Sequence, residues 1–159
     1  AINLAIHLPA ARIYALDAED AVLDVASHNI RAHNVADRIK LVKGDLLEPL
    51  PELVDLIVAN LPYIPTNRIP TLQPEIQWEP RAALDGGDDG LDLIRRLLSQ
   101  APDKLTENGV ILLEMDPEQM PIIEELVIQL LPEATISVEQ DLAHMDRVFV
   151  INRAGEEGY

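Results

Sequence analysis

Apolar and polar positions along this chain follow two periods, one helical and one strand-like, and the switches between them divide it into elements. Residues 1–8 (AINLAIHL) carry apolar side chains at helical spacing, without a preceding cap. Residues 12–16 (RIYAL) form a β-branched and aromatic run closed by Asp17, and residues 19–34 return to the helical period through Val22, Val25, Ala26 and Ile30. Short apolar runs at 39–42 and 54–59 are closed by Lys43-Gly44-Asp45 and by Asn60, and both predict buried strands. Residues 88–99 predict a helix with Leu91, Ile94, Leu97 and Leu98 on one face. Asn108-Gly109 predicts a turn into a strand at 110–115. A further helix is expected from Pro117, with Ile122, Ile123, Leu126, Val127 and Leu130 as its apolar face and Pro132 as its stop. Two β-branched runs, 135–138 and 147–151, flank the polar segment 139–146 and predict two last strands.

Alternating strand and helix predict an α/β fold with a mostly parallel twisted sheet and helices on both faces, because parallel neighbours need helical crossovers. One domain is expected over residues 1–151, followed by a polar, frayed tail at 152–159. The exception to the alternation is 61–90. There Pro62, Pro65, Pro70, Pro74 and Pro80, then Gly86, Gly87 and Gly90, repeatedly remove helix and strand. A loop of about thirty residues inside a domain is unusual, and its Tyr63 and Trp78 mark it as functional.

Composition narrows the function. The chain of 159 residues is 48% hydrophobic, enough to fill a core. It has no apolar run of the length a membrane span needs, and a cytoplasmic protein is expected. With no cysteine, thiol catalysis, disulfides and thiolate metal sites are excluded. Twelve Lys and Arg against 28 Asp and Glu give a net charge of −16, which argues against nucleic acid as the partner, since a duplex binder clusters its cations. His7, His28, His33 and His144 show no ligand spacing, so no metal site is expected.

In open α/β sheets, ligands bind beyond the carboxyl ends of the strands. The residues there are polar: Asp17, Asp45, Asn60 and Glu114. An acid in the place of Asp17 holds ribose hydroxyls or caps the following helix. Asn60-Leu61-Pro62-Tyr63 is the most informative segment. A planar amide or adenine nitrogen has a delocalised lone pair and is a poor nucleophile. It has to be held in line with an electrophile. The Asn60 side-chain oxygen and the Leu61 carbonyl form a pair of acceptors for two N–H bonds, the Tyr63 ring a surface to stack on, and Pro62 a rigid link. The bland alternative is an Asn-led turn with Tyr63 as packing.

Four segments carry a resemblance: NLPYIP at 60–65, PEIQWEPRAALDGGDDGLD at 74–92, LLEM at 112–115 and DLAHMDRV at 141–148. Over residues 1–151 the chain resembles the protein-glutamine N5-methyltransferases, which methylate the glutamine of a Gly-Gly-Gln motif in peptide-chain release factors with S-adenosylmethionine. The resemblance implies a Rossmann-like methyltransferase fold and a protein substrate, a release factor. It implies that Asp17 holds the cofactor ribose, that Asp45 and Leu46 flank its adenine, and that Asn60, beside the cofactor, grips the glutamine amide with Leu61, Pro62 and Tyr63. It puts Glu75, Glu79 and Arg81 in a substrate-facing loop; for Arg81 an ion pair with Glu79 or a neighbouring acid is the competing role.

Two departures from the family pattern stand out. Leu61 replaces the first proline of Asn-Pro-Pro-Tyr, which keeps the backbone carbonyl but frees Asn60 from the pre-proline restriction. Asn-Leu-Pro-Tyr also resembles the motif of ribosomal RNA adenine dimethyltransferases, which makes adenine N6 methylation of RNA or DNA the rival activity. The second departure is that no glycine precedes Gly44, whereas the family's first strand and Gly-rich cofactor loop belong before Ala1. The chain is therefore expected to lack the first strand, and a non-catalytic binding module is the rival outside enzymes.

Overall fold

The computed structural model describes residues 1–154. They divide into two compact units, one over Ala1–Glu52 and one from Leu53 onward. The strands fall into two sheets: β1 (Ile13–Asp17) with β2 (Ile39–Lys43), and β3 (Val54–Ala59), β4 (Leu105–Glu114), β5 (Thr135–Gln140) and β6 (Asp146–Asn152) in the order β3-β4-β6-β5. No helix among the described residues is long and apolar enough to cross a membrane.

In the first unit, α1 (Ile2–His7) and α2 (Asp20–Ala32) accompany the parallel pair β1–β2. Its core is Ala5, Ile30, Val35 and Ile39, against which Ile2, Ile13, Ala15 and Leu41 pack. Asn34 ends α2 in the left-handed region at φ 55°, and Val35 N then donates to Ile30 O at 3.2 Å, turning Val35 into that core.

In the second unit, β3 runs parallel to β4, while β6 is antiparallel to both β4 and β5. The last strands therefore form a hairpin, because the few residues joining them are too short for a crossover. Its turn is held by Asp141, whose Oδ1 accepts from Ala143 N at 2.8 Å and Met145 N at 3.1 Å. Register places Ile57, Ile111 and Ile151 in one row across the sheet, and Leu113 opposite Phe149 in the next. All five are buried, as are Ile94, Leu97 and Leu98 of α3 (Asp92–Gln100) and Ile123 and Val127 of α4 (Met120–Leu130).

Three expectations shift. The helix expected from residue 88 starts at Asp92, because Gly87 and Gly90 hold left-handed φ of 91° and 78°, which no helix continues. Asn108-Gly109 is a bulge inside β4 rather than a turn before it. Val54 pairs with Leu105 and Leu56 with Val110, so residues 106–109 face only Asp55, which accepts from Thr106 Oγ1 at 3.1 Å. Gly109 closes the bulge over Leu105, whose Cγ lies 2.4 Å from where a Cβ would stand. Ahead of α4, Pro117–Gln119 form a 3-10 turn of their own, capped by Asp116. At the far end Asn152 still belongs to β6 and Arg153 N donates to Gly109 O at 3.0 Å; residues 155–159 of the expected tail lie outside the described residues.

Phe149, the single phenylalanine, is fully buried at the centre of the four-stranded sheet. Phe149→Ala is expected to cost about 3–5 kcal/mol of stability, read as a shift in the urea midpoint at unchanged slope.

Candidate active site

The first unit brings Asp17 and Asp45 to one end of a parallel strand pair. Asp17 closes β1 opposite Lys43, and Asp45 follows two residues later. Gly44 N donates to Asp17 O at 3.0 Å, which extends the ladder by one bond. Asp17 Oδ1 accepts from Glu19 N at 2.9 Å, an Asx turn that starts α2; Oδ2 has no partner among the described residues. Gly44 takes φ 155° with Pro49 Cγ 2.7 Å from where a Cβ would be, so a side chain is excluded there. Leu46 stands in the left-handed region at φ 48°, a conformation branched side chains rarely adopt.

The second unit places Asn60 at the carboxyl end of β3, exposed, with Leu61, Pro62 and Tyr63 half-buried behind it. These four residues, with Ile76, Glu79 and Leu84, line a cleft of about 240 Å³. Tyr63 crosses to β4, where its hydroxyl donates to Glu114 Oε1 at 3.2 Å. Burial and then the Glu114 charge push the Tyr63 phenol above its ordinary range, so it stays protonated at neutral pH.

The loop beyond is closed at its base. Ile64 N donates to Leu84 O, Gly86 N to Ile64 O and Thr66 N to Gly87 O, at 3.0, 3.0 and 2.8 Å. Asp85 stands at the centre of this neck. Its Oδ1 accepts from Thr66 Oγ1 at 2.5 Å and Gly87 N at 3.1 Å, and its Oδ2 from Arg81 Nε at 3.0 Å. The bond from Thr66, then those from Gly87 and Arg81, hold the Asp85 carboxyl below the usual carboxylate range. The lobe above the neck is built of 3-10 turns at Ile69–Thr71, Ile76–Trp78 and Arg81–Ala83, the short helical pieces its prolines permit. Trp78 is 88% exposed on it.

Of the residues expected in the substrate-facing loop, Glu79 joins the Asn60–Tyr63 cleft. Glu75 is exposed at the start of a 3-10 turn and does not line it. Arg81 lines a separate, wider cleft of about 910 Å³ with Thr66, Asp85, Arg95 and Arg96, and its ion-pair partner is Asp85, four residues on, rather than Glu79. Asp85, Thr66 and Gln119 went unnoticed in the sequence. Asp116-Pro-Glu-Gln119 does carry the spacing of a capping box, which was the available signal for Gln119.

The family model described as ribosomal protein L11 methyltransferase (PrmA) matches residues 2–78. A release factor glutamine methyltransferase from Moorella thermoacetica is 42% identical over 157 residues, 98% of this chain and 56% of that protein. A ribosomal protein uL3 glutamine methyltransferase from Francisella tularensis is 41% identical over 115 residues, 72% of this chain and 37% of that protein. Among solved structures, a methyltransferase from Pyrococcus furiosus superposes with a TM-score of 0.69 at 18% identity, covering 96% of this chain and 68% of that one. The ribosomal protein L11 methylase of Lactobacillus delbrueckii subsp. bulgaricus gives 0.62 at 22% identity, with 90% and 58% covered. These two share its fold. The chain spans about half the length of the curated relatives it matches.

The Asp85 neck has a testable pH signature. A carboxyl lowered by folding contributes stability that is full above the unfolded value, about 3.9, and is lost as pH falls through the folded value. Asp85→Asn is expected to melt below wild type at neutral pH, with the two melting temperatures converging in acid. A gap that stays constant down to acid pH would mean that the carboxylate charge is not what holds the neck.

Proposed function

This chain belongs to the protein-glutamine methyltransferase family, and from that premise we propose that the whole protein methylates the side-chain amide nitrogen of a glutamine, that of the Gly-Gly-Gln motif in a peptide-chain release factor, in the cytoplasm. The observation that carries the proposal is the cleft at the carboxyl end of β3, where Asn60, Leu61, Pro62 and Tyr63 stand together with Glu79. The release factor is favoured over uL3 as substrate because four release-factor relatives match 92–98% of the chain and a fifth 72%, whereas three uL3 relatives match 72–75%.

Use of S-adenosylmethionine follows from the family and the fold. The first unit fits it on its own geometry. Asp17 keeps one carboxylate oxygen outside its Asx turn, at a strand end, which suits a ribose hydroxyl. Gly44, close against Pro49, and Leu46 at φ 48° fix the turn that carries Asp45 just beyond the end of β2, on the side where a flat base would lie next to the ribose. When bound, the cofactor supplies an electrophilic methyl group. Asp17 would hold its ribose, and Asp45 with Leu46 would flank its adenine.

The remaining work falls to the loop after β3. The Asn60 oxygen and the Leu61 carbonyl accept the two N–H bonds of the target amide, which turns its nitrogen and strengthens both bonds as positive charge develops there. The Tyr63 ring stacks on the amide plane, and its protonated hydroxyl stays tied to Glu114. Leu61 in place of proline does not weaken this scheme, since the group used is its backbone carbonyl. Glu79, on the cleft wall, meets the polypeptide around the glutamine. Glu75 and Arg81 act further out along the substrate, through the lobe that carries them.

Asn60→Ala in the full-length protein is expected to lower kcat for labelled methyl transfer by about 10² to 10³, with cofactor affinity by calorimetry within about twofold. An unchanged kcat removes Asn60 from this role. Release factor, uL3 and a structured RNA offered side by side should leave the label on a glutamine of the release factor. Label on uL3 would change the substrate and keep the chemistry, label on adenine would favour the adenine N6 activity, and no label anywhere would favour the binding module.

A further inference from the structure

Gln119 is 6% exposed, the one buried polar side chain among the described residues. A buried amide costs stability unless its donors and acceptor are matched, and here they are. Oε1 accepts from Asp116 N at 3.3 Å, while Nε2 donates to Tyr63 O at 2.9 Å and Asp89 O at 3.1 Å. One side chain thus joins three segments: the loop after β3, the glycine turn before α3, and the turn after β4. A neutral amide is required, because the site offers two carbonyls and one N–H, and only Gln has both donors and the acceptor at that reach.

The cradle is specific as well. Gly90 holds φ 78°, and a Cβ there would lie 2.2 Å from Tyr63 O and 2.5 Å from Gln119 Nε2. Tyr63 is therefore gripped at both ends, at the hydroxyl by Glu114 and at the carbonyl by Gln119, both from the region where β4 ends. Between the Leu61 carbonyl and the Tyr63 carbonyl only three torsions are free to turn, since the Pro62 ring locks its φ. With Tyr63 held at its hydroxyl and its carbonyl, those three torsions are the only freedom left between it and the Leu61 carbonyl, so the second carbonyl restricts the first.

We propose that Gln119 is a positioning residue for methyl transfer, which fixes the Asn60–Tyr63 backbone and so aims the Leu61 carbonyl at the target amide without touching it. This role rests on the function proposed above. Misplacing a reacting contact by about 1 Å costs on the order of 10²-fold, and loss of the Tyr63 anchor acts on that scale. Binding of the cofactor does not pass through it.

The test is a kinetic split in the full-length protein. Gln119→Leu removes all three bonds at nearly constant volume. Gln119→Glu keeps the oxygen facing Asp116 N but turns another oxygen on the two carbonyls. Each is expected to lower kcat on release factor by about 10- to 100-fold, with cofactor affinity by calorimetry within about twofold and a native circular dichroism spectrum. Lowering the pH should restore part of the Gln119→Glu rate relative to wild type, because the protonated carboxyl regains one donor. A folded Gln119→Leu with kcat within about twofold of wild type overturns the role. So does a rate that falls only in proportion to the folded fraction in both variants, or failure of both to fold, which would make Gln119 structural. An unsubstituted protein that labels no glutamine overturns the function and this role together, and is distinguished by the wild-type control.

Discussion

A loop that lies against a packed sheet has to find partners for its backbone polar groups without a ladder to supply them. In this chain the constraint is severe between β3 and α3, where five prolines remove donors and three glycines remove the preference for any one conformation. Two side chains answer it. Asp85 gathers a hydroxyl, a backbone N–H and a guanidinium at the neck, and Gln119 gathers two carbonyls and an N–H behind Tyr63. Once those six contacts exist, the position of Tyr63 is no longer a loop property. It is set by β4 and the turn that follows it.

Much of the scaffold was legible because its elements are periodic. The strand at Val54–Ala59 matches its apolar run to the residue, and α3 buries Ile94, Leu97 and Leu98, as their spacing required. What was not legible depends on partners distant in the chain. The bulge at 106–109 exists because Asp55 and Arg153 N come to it from other strands, and nothing local to Asn108-Gly109 says so. Arg81 found Asp85 rather than Glu79 because the 3-10 turn at Arg81–Ala83 leads into the neck, where Asp85 is fixed by Thr66 and Gly87. Asn60 to Tyr63 were singled out for the chemistry of a planar nitrogen, and the structure brings the four to one cleft. The support behind them was not singled out, because Gln119 reads first as a helix cap.

The two acids of the first unit and the loop of the second are held by different means. Asp17 stands at a strand end, where the ladder fixes it to the precision of the sheet, and Asp45 follows two residues beyond β2. Asn60 stands one residue beyond a strand end and is exposed, so its accuracy depends on what grips the residues after it. A chain of net charge −16 has few cations to lend, and the groups that line the Asn60–Tyr63 cleft are an amide, a phenol, backbone and the carboxylate of Glu79, with no cation. The amide and backbone contacts carry no long-range field and act only at contact distance. Under the proposed function, selection of one glutamine would come from shape and hydrogen-bond geometry.

The neck at Ile64–Thr66 and Leu84–Gly87 separates two kinds of inheritance. Below it, Tyr63, Gly90 and Gln119 meet so closely that a change in one strands the others, and they must be passed on as a set. Above it, residues 67–83 begin and end at the same closed base. Doubling the length of a closed loop adds only about 0.6 kcal/mol of closure entropy. That lobe, with Trp78 at its surface, can be lengthened, trimmed or rewritten from one lineage to the next while the cleft beneath it is left alone.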